Sequence, residues 1–272
     1  MFLFSNFLAN LLVVTVICCY ATSAQSDEAA ANSYMKAVEL GLENDPVWLT
    51  ILGYEEKGFV SSRRESAFRS SSAFLHIDGK SNPSSELLAT LSAFFEPVGS
   101  GSNEHAQCKY RARYIWLDAE LVFKKYGIEE QTCDAYEEWK KHESVNSISV
   151  LMVGGFLENP ASYFGHNMIK LNTSRHNSNN LQNESVNFGA DIPQTDGIFK
   201  YIYSGITGKY RGVFSSSDYF HFANNYGETE HRDIWEYQLN LTDHEVSLLL
   251  SLVWELMQTD FTYYFFDKNC AY

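Results

Sequence analysis

The sequence predicts an α+β fold in which a helical N-terminal part packs on a mostly antiparallel sheet. Three observations carry that expectation. In the first half, apolar residues recur at helical spacing: Tyr34, Ala37, Val38, Leu40, Trp48, Leu49 and Leu52, then Ile115, Trp116, Leu117, Leu121 and Val122. Further on, short β-branched and aromatic runs separated by turn residues take over. One strong helix signal returns late, where Thr242 and Glu245 form a capping box ahead of Leu248, Leu249, Leu252, Trp254 and Leu256.

Taken in order, residues 1–26 read as a secretion signal. Phe7 to Tyr20 is almost unbroken apolar sequence, and Ala21-Thr22-Ser23-Ala24 places cleavage after Ala24. No Lys or Arg precedes it; a short membrane anchor is the competing reading, disfavoured by the length of the segment. Residues 27–98 then form a helical region, 103–272 an α+β domain, and Gly99-Ser100-Gly101-Ser102 a linker. Within the first region, residues 32–57 are helical with a break at Asp45-Pro46. Residues 61–80 read as strand up to Asp78-Gly79, and Asn82-Pro83 opens a helix through Leu87 to Phe95. In the second region, residues 108–126 and 133–142 are helical. Strands are expected at Ser147–Phe156, Gly165–Leu171, Val186–Ala190 and Arg232–Leu241, with a turn at Asn159-Pro160-Ala161-Ser162 and a polar loop at 173–184. Gly205 to Gly212 reads as turns, and the Tyr- and Phe-rich stretch 199–226 as core and rim or as the lining of a lipid groove. Phe261 to Phe266 is an aromatic strand leading into Asp267-Lys268-Asn269-Cys270.

Composition narrows the function. Apolar residues make up 45% of the 272, enough for a sizeable core, and the formal charge of −14 argues against a nucleic-acid partner and against a general electrostatic grip on anionic lipid. Neither CxxC nor HExxH occurs, and there is no GxSxG elbow or phosphate loop, so no metal or cofactor is expected. Once the leader with Cys18 and Cys19 is removed, Cys108, Cys133 and Cys270 remain. In an oxidising compartment Cys108 and Cys133, close together in one segment, are candidates to pair; the alternative is two buried thiols. Either way Cys270 is left over as a thiol.

A thiol enzyme needs a thiolate, a base, a group that orients the base, and donors for an oxyanion. His166, behind Gly165 at the start of a strand, is the candidate base for a Cys270 nucleophile. His231-Arg232-Asp233 with Glu236 reads as a structural ion pair or a charged substrate contact.

Four motifs now stand in order: Gln107-Cys108-Lys109-Tyr110-Arg111-Ala112-Arg113 with Trp116-Leu117; Asn159 to His166; Arg232-Asp233-Ile234-Trp235-Glu236-Tyr237; and Tyr263 to Cys270. Together they resemble the Lnb N-terminal periplasmic domain family over residues 45–272. Arg111 stands where that family is expected to carry proline. The family's namesake is a lipoprotein N-acyltransferase, and its His-before-Cys order resembles circularly permuted papain-like folds. The resemblance implies a periplasmic thiol acyltransferase at the membrane surface. It would move a fatty acyl chain from a phospholipid to the N-terminal amine of a diacylated lipoprotein. Cys270 and His166 would be catalytic and Asn187, on the next strand, would orient the histidine. Gln107, Asn269, Ser162 and Arg232 would serve the oxyanion or the substrate. The chain is expected to be truncated after Cys270, since relatives continue into a helix and a membrane region. The rivals are a papain-like peptidase or amidase of the cell envelope, favoured by a polar cleft, and a non-enzymatic module that binds lipid or protein. An apolar groove at Cys270 would favour lipid.

Overall fold

The computed structural model describes residues 28–57, 63–97, 102–142, 145–156, 163–173 and 180–271. The leader expected at 1–24, the Gly/Ser linker apart from Ser102, and the Asn159–Ser162 turn lie outside them.

The N-terminal layer is helical, as its periodicity requires. Helix α1 spans residues 28–39. Helix α2 (Pro46–Ile51) starts where Asp45 accepts a hydrogen bond from the Val47 N–H, with proline at a position that has no backbone partner to lose. A hairpin follows, β1 (Tyr54–Lys57) antiparallel to β2 (Arg63–Ser66). Strand structure was expected to continue to residue 80 but stops at Ser66. The reason is local: Ser70 accepts from the Ser72 N–H and caps a 3-10 turn, an alternative that serine offers to strand backbone. Helix α3 (Pro83–Phe94) is capped by Asn82, and α4 (Ala106–Lys109), α5 (Arg111–Leu121) and α6 (Asp134–His142) complete the layer. Trp48, Leu52, Leu87, Leu91, Ala112 and Leu117 are fully buried in its core. A disulfide joins Cys108 to Cys133, packed against Tyr136, Trp139 and Trp254.

The C-terminal half is a six-stranded antiparallel sheet. Its strands are β3 (Val145–Val153), β4 (His166–Thr173), β5 (Glu184–Asp191), β6 (Tyr210–Asp218), β7 (Ile234–Gln238) and β8 (Asp260–Tyr263), in the spatial order β7-β3-β4-β5-β6-β8. Between β5 and β6 the chain forms helix α7 (Ile198–Ile206), which takes in Gly205, the first of the glycines expected in turns, while Gly208, at φ +69°, does turn. Gly205 is there for packing, not for turning: a Cβ on it would meet the Phe265 ring at 2.3 Å.

Helix α9 (Asp243–Leu256) opens with the expected capping box and lies between the two layers. Leu248, Leu252 and Leu256 pack on the N-terminal core, while Val246, Leu250 and Val253 pack on Ile148, Leu171 and Val186 of the sheet. The opposite sheet face carries Leu151, Val153 and Met168. It is covered by Tyr219 and Phe222 of α8 (Tyr219–Phe222) and by Tyr226 of the π-helical segment Ala223–Thr229. Among the described residues, no helix is long and apolar enough to cross a membrane.

Candidate functional site

Strand pairing explains how two segments so far apart in sequence come together. Pairing of β4 with β5 ends at Met168 opposite Asn187, whereas β5 stays paired with β6 to Asp191 opposite Arg211. The strands diverge, and the edge of β4 at its first residues is left open. The C-terminal turn fills that gap. Asn167 donates its backbone N–H to the Cys270 carbonyl at 2.8 Å and its side-chain amide to the Ala271 carbonyl at 3.2 Å. The Cys270 thiol points back to the Gly165 carbonyl at 3.7 Å. Backbone on both sides of His166 is thus fastened to Cys270.

The turn itself is held by Asn269, whose amide donates to the Phe265 carbonyl and whose oxygen accepts from the Ala271 N–H, both at 2.8 Å. Asn269 therefore shapes the loop that presents the thiol. Gly165, at φ +95°, passes so close to β3 that a Cβ would sit 2.6 Å from the Val153 carbonyl. Only glycine lets the chain enter β4 at that point.

His166 is 5% exposed and shares a sheet face with Met168 and Asn187. Burial holds its imidazole down at about 4 against a usual 6.5. The Asn187 side chain pulls upward and the Arg232 charge adds to the depression. Its Nε2 and the Asn187 Oδ1 are both buried without a hydrogen-bond partner among the described residues. The Cys270 thiol, 7% exposed, is pushed up by burial. The Tyr263 hydroxyl, its own backbone N–H and the Arg232 charge draw it back. Both groups therefore rest neutral near pH 7, as thiol and imidazole rather than as an ion pair.

The His166 shift has a stability consequence. The folded pKa lies below the unfolded one, so the native state benefits fully above pH 6.5 and loses that benefit as pH falls through 6.5 toward 4. The loss over that window should reach roughly 3 kcal/mol. Urea unfolding at pH 7 and pH 4.5, compared between the wild type and His166→Gln, measures it. Equal losses in the two proteins would contradict the assignment.

Tyr263 is the residue that sequence reasoning missed. It sits fully buried on β8, donates to the Cys270 sulfur at 3.5 Å, and has its own phenol pushed far up by burial and by that neighbour. Its place in the aromatic strand seven residues before Cys270 is indistinguishable in sequence from ordinary core. A hydrogen bond donated to sulfur favours the thiolate. Tyr263→Phe should raise the thiol pKa further and slow iodoacetamide labelling of Cys270 about tenfold near pH 8. Labelling across pH tests this; an unchanged or lowered midpoint would refute it.

Arg232 is 7% exposed and stacks 4.7 Å from Tyr226, whose ring lies 5.5 Å from that of His166. It donates to the Gly154 carbonyl at 2.6 Å and pairs with Glu230 at 2.8 Å. Glu236, expected as its companion, instead binds the buried Lys170 at 2.6 Å. The Arg232 charge thus lowers the pKa of both His166 and Cys270, and its side chain braces the end of β3. Gln107 spends its amide inside the helical layer. It donates to the Phe94 and Glu129 carbonyls and accepts from the Gln131 N–H, so it reaches no part of the Cys270 turn. Ser162 lies outside the described residues.

Cys270 also lines a cavity of about 600 Å³ on the sheet face opposite His166. Val150, Ile169, Val186, Phe188, Phe214 and Phe261 make its floor, and Glu55, Arg69, Lys80, Asp267 and Lys268 its rim. Lys268 pairs with Glu55, tying the Cys270 turn to the N-terminal hairpin. Among the described residues no cluster of three or more His, Cys, Asp or Glu is arranged to hold a metal ion.

Comparison with known proteins gives two family matches. The model of the Lnb N-terminal periplasmic domain matches residues 135–272, and a domain of unknown function (DUF7843) matches residues 40–120. No curated protein and no solved structure matches the chain. The first match spans half the chain and takes in the strand that begins at His166 and the turn that ends at Cys270, so this envelope-related protein belongs to the Lnb N-terminal periplasmic domain family.

Proposed function

We propose that the protein is a thiol acyltransferase that moves a fatty acyl chain from a phospholipid to the N-terminal amine of a diacylated lipoprotein. The observation that carries this reading is the apolar cavity that has Cys270 in its wall, beside the strand end that bears His166. A volume of about 600 Å³ falls within the range of small-molecule sites, and an aliphatic and aromatic floor suits an acyl chain better than a peptide.

In this mechanism the thiol leaves the Gly165 carbonyl for the His166 imidazole, which takes its proton as sulfur attacks the ester carbon. The C–O bond breaks, His166 returns the proton to the departing lysophospholipid oxygen, and the acyl group remains as a thioester. The lipoprotein amine then attacks the thioester carbon, His166 takes a proton from it, and the C–S bond breaks. That proton goes back to the sulfur. Backbone N–H groups of the turn hold the oxyanion, Asn187 orients His166, and Tyr263 supports the sulfur as it gains charge. Because both partners rest neutral, negative charge on sulfur develops only when substrate is present.

Mass spectrometry of lipoproteins in cells exporting the protein tests this. Cys270→Ser and His166→Ala should leave lipoproteins diacylated, and normal triacylation in both variants would end the proposal.

A further inference from the structure

Helix α7 is amphipathic in the reverse sense. A surface helix ordinarily turns its apolar stripe inward. Here Ser204 and Gly205 are buried and Tyr201 packs on Phe265 at 4.8 Å, while Ile198, Phe199, Ile202, Tyr203 and Ile206 face solvent. Phe199 is 87% exposed and Ile198 69%. At about 100° per residue these five side chains fall within an arc of about 140°. Exposed contiguous apolar surface of this kind marks an interaction site.

The patch is continuous with the thiol site. Tyr264, Lys268 and Cys270 line the cavity, Phe265 between them is the ring on which α7 rests, and Phe266 projects to solvent against Phe164, which precedes Gly165. Cations frame the helix. Lys200 is paired with Asp196 at the edge of the arc, and Lys209 lies 4.5 Å over the Tyr203 ring. Aliphatic and aromatic side chains on one arc with lysines at its border are the composition of a helix that lies in a membrane interface. With Lys200 engaged by Asp196, Lys209 is the local charge that anionic headgroups complement, on a chain whose overall charge is −14.

We infer that α7, with Phe164 and Phe266 beside it, is an interfacial anchor that seats the Cys270 cavity on a lipid bilayer. The inference extends the acyl-transfer reading, whose donor resides in a bilayer, but it rests on its own observation and its own test. The exported chain, purified from the periplasm of a bacterial host, is floated with vesicles of phosphatidylethanolamine and phosphatidylglycerol. Ile198→Glu/Phe199→Glu should reduce the bound fraction about tenfold or more. Both positions are exposed and lie in a helix's first turn, where acidic residues suit the dipole, so the fold should survive. Phe199→Trp should add emission that moves to the blue when vesicles are supplied. Cys270→Ser should bind like the wild type, which separates membrane docking from catalysis. Absence of wild-type binding, or equal binding by the double-glutamate variant, would overturn the inference. So would an effect of that variant on self-association alone, read by sedimentation, because the patch would then serve a second copy of the chain.

Discussion

Cys270→Ala is expected to lower acyl transfer at least about 10⁴-fold, and His166→Ala by a similar factor. The double variant should be scarcely worse than either single one, because a nucleophile and its base act as a unit. Stopped assays that follow loss of the donor ester and appearance of the acylated amine measure all three. Additive losses would mean that the two residues contribute separately. The pair rests neutral, since burial lowers the imidazole to about 4 and raises the thiol. The rate of the wild type should therefore stay nearly level from about pH 5 to pH 8. A rate that changes about tenfold or more inside that window would contradict a pair held at those limits.

Arg113→Met is expected to cost the fold about 3–5 kcal/mol. Arg113 is 1% exposed and joins three helices at once. Its Nη1 meets Glu86 of α3 at 2.7 Å, its Nε lies 3.3 Å from Glu255 of α9, and its Nη2 donates to the Ala73 carbonyl at 2.6 Å. The guanidinium also covers the Tyr110 ring at 4.1 Å. Removing it leaves two buried carboxylates without the cation they share, and burial already pushes the Glu255 carboxyl up. Urea unfolding at pH 7 measures the loss, and adding Glu86→Gln and Glu255→Gln to Arg113→Met should recover part of it. A loss below about 1 kcal/mol, the value of an exposed pair, would show that the cluster is not the brace its geometry describes.

The consequence reaches the site. Glu255 sits on α9, the helix that carries the sheet on one side and the N-terminal layer on the other. The cavity beside Cys270 has walls from both, since Glu55, Ser66 and Lys80 face Val150, Ile169 and Phe214 across it. Loosening α9 should widen that cavity before the chain unfolds.

Much of this protein was legible in one dimension because the relevant forces are local. Helical spacing in the first half, the β-branched runs after it and the Thr242–Glu245 capping box each depend on neighbours a few residues away, and each lies where expected, except that residues 54–57, read as helix, form strand β1. The fold class and the family follow from such signals. The features that failed were those in which a distant side chain overrides a local preference. Gly205 and Gly212 look like turn residues, yet one lies in a helix and the other in a strand, because the Phe265 and Phe188 rings occupy the space a Cβ would need. Residues 67–80 look extended, yet serine side chains bend them.

By itself, then, the sequence determined the fold class, the late capped helix and most of the segments that became β3, β4, β5, β7 and β8, and it nominated Cys270 and His166 as a thiol and a base. Tertiary structure alone decided that β4 and β5 part at Met168 and that the Cys270 turn closes the gap beside Asn167. It also decided that Tyr263 points at the sulfur, that Gln107 does not approach it, and that α7 wears its apolar side outward. The physical reason is register. Propensity and capping are set within one turn of chain, whereas the face and partner of each strand residue depend on how strands far apart in sequence align.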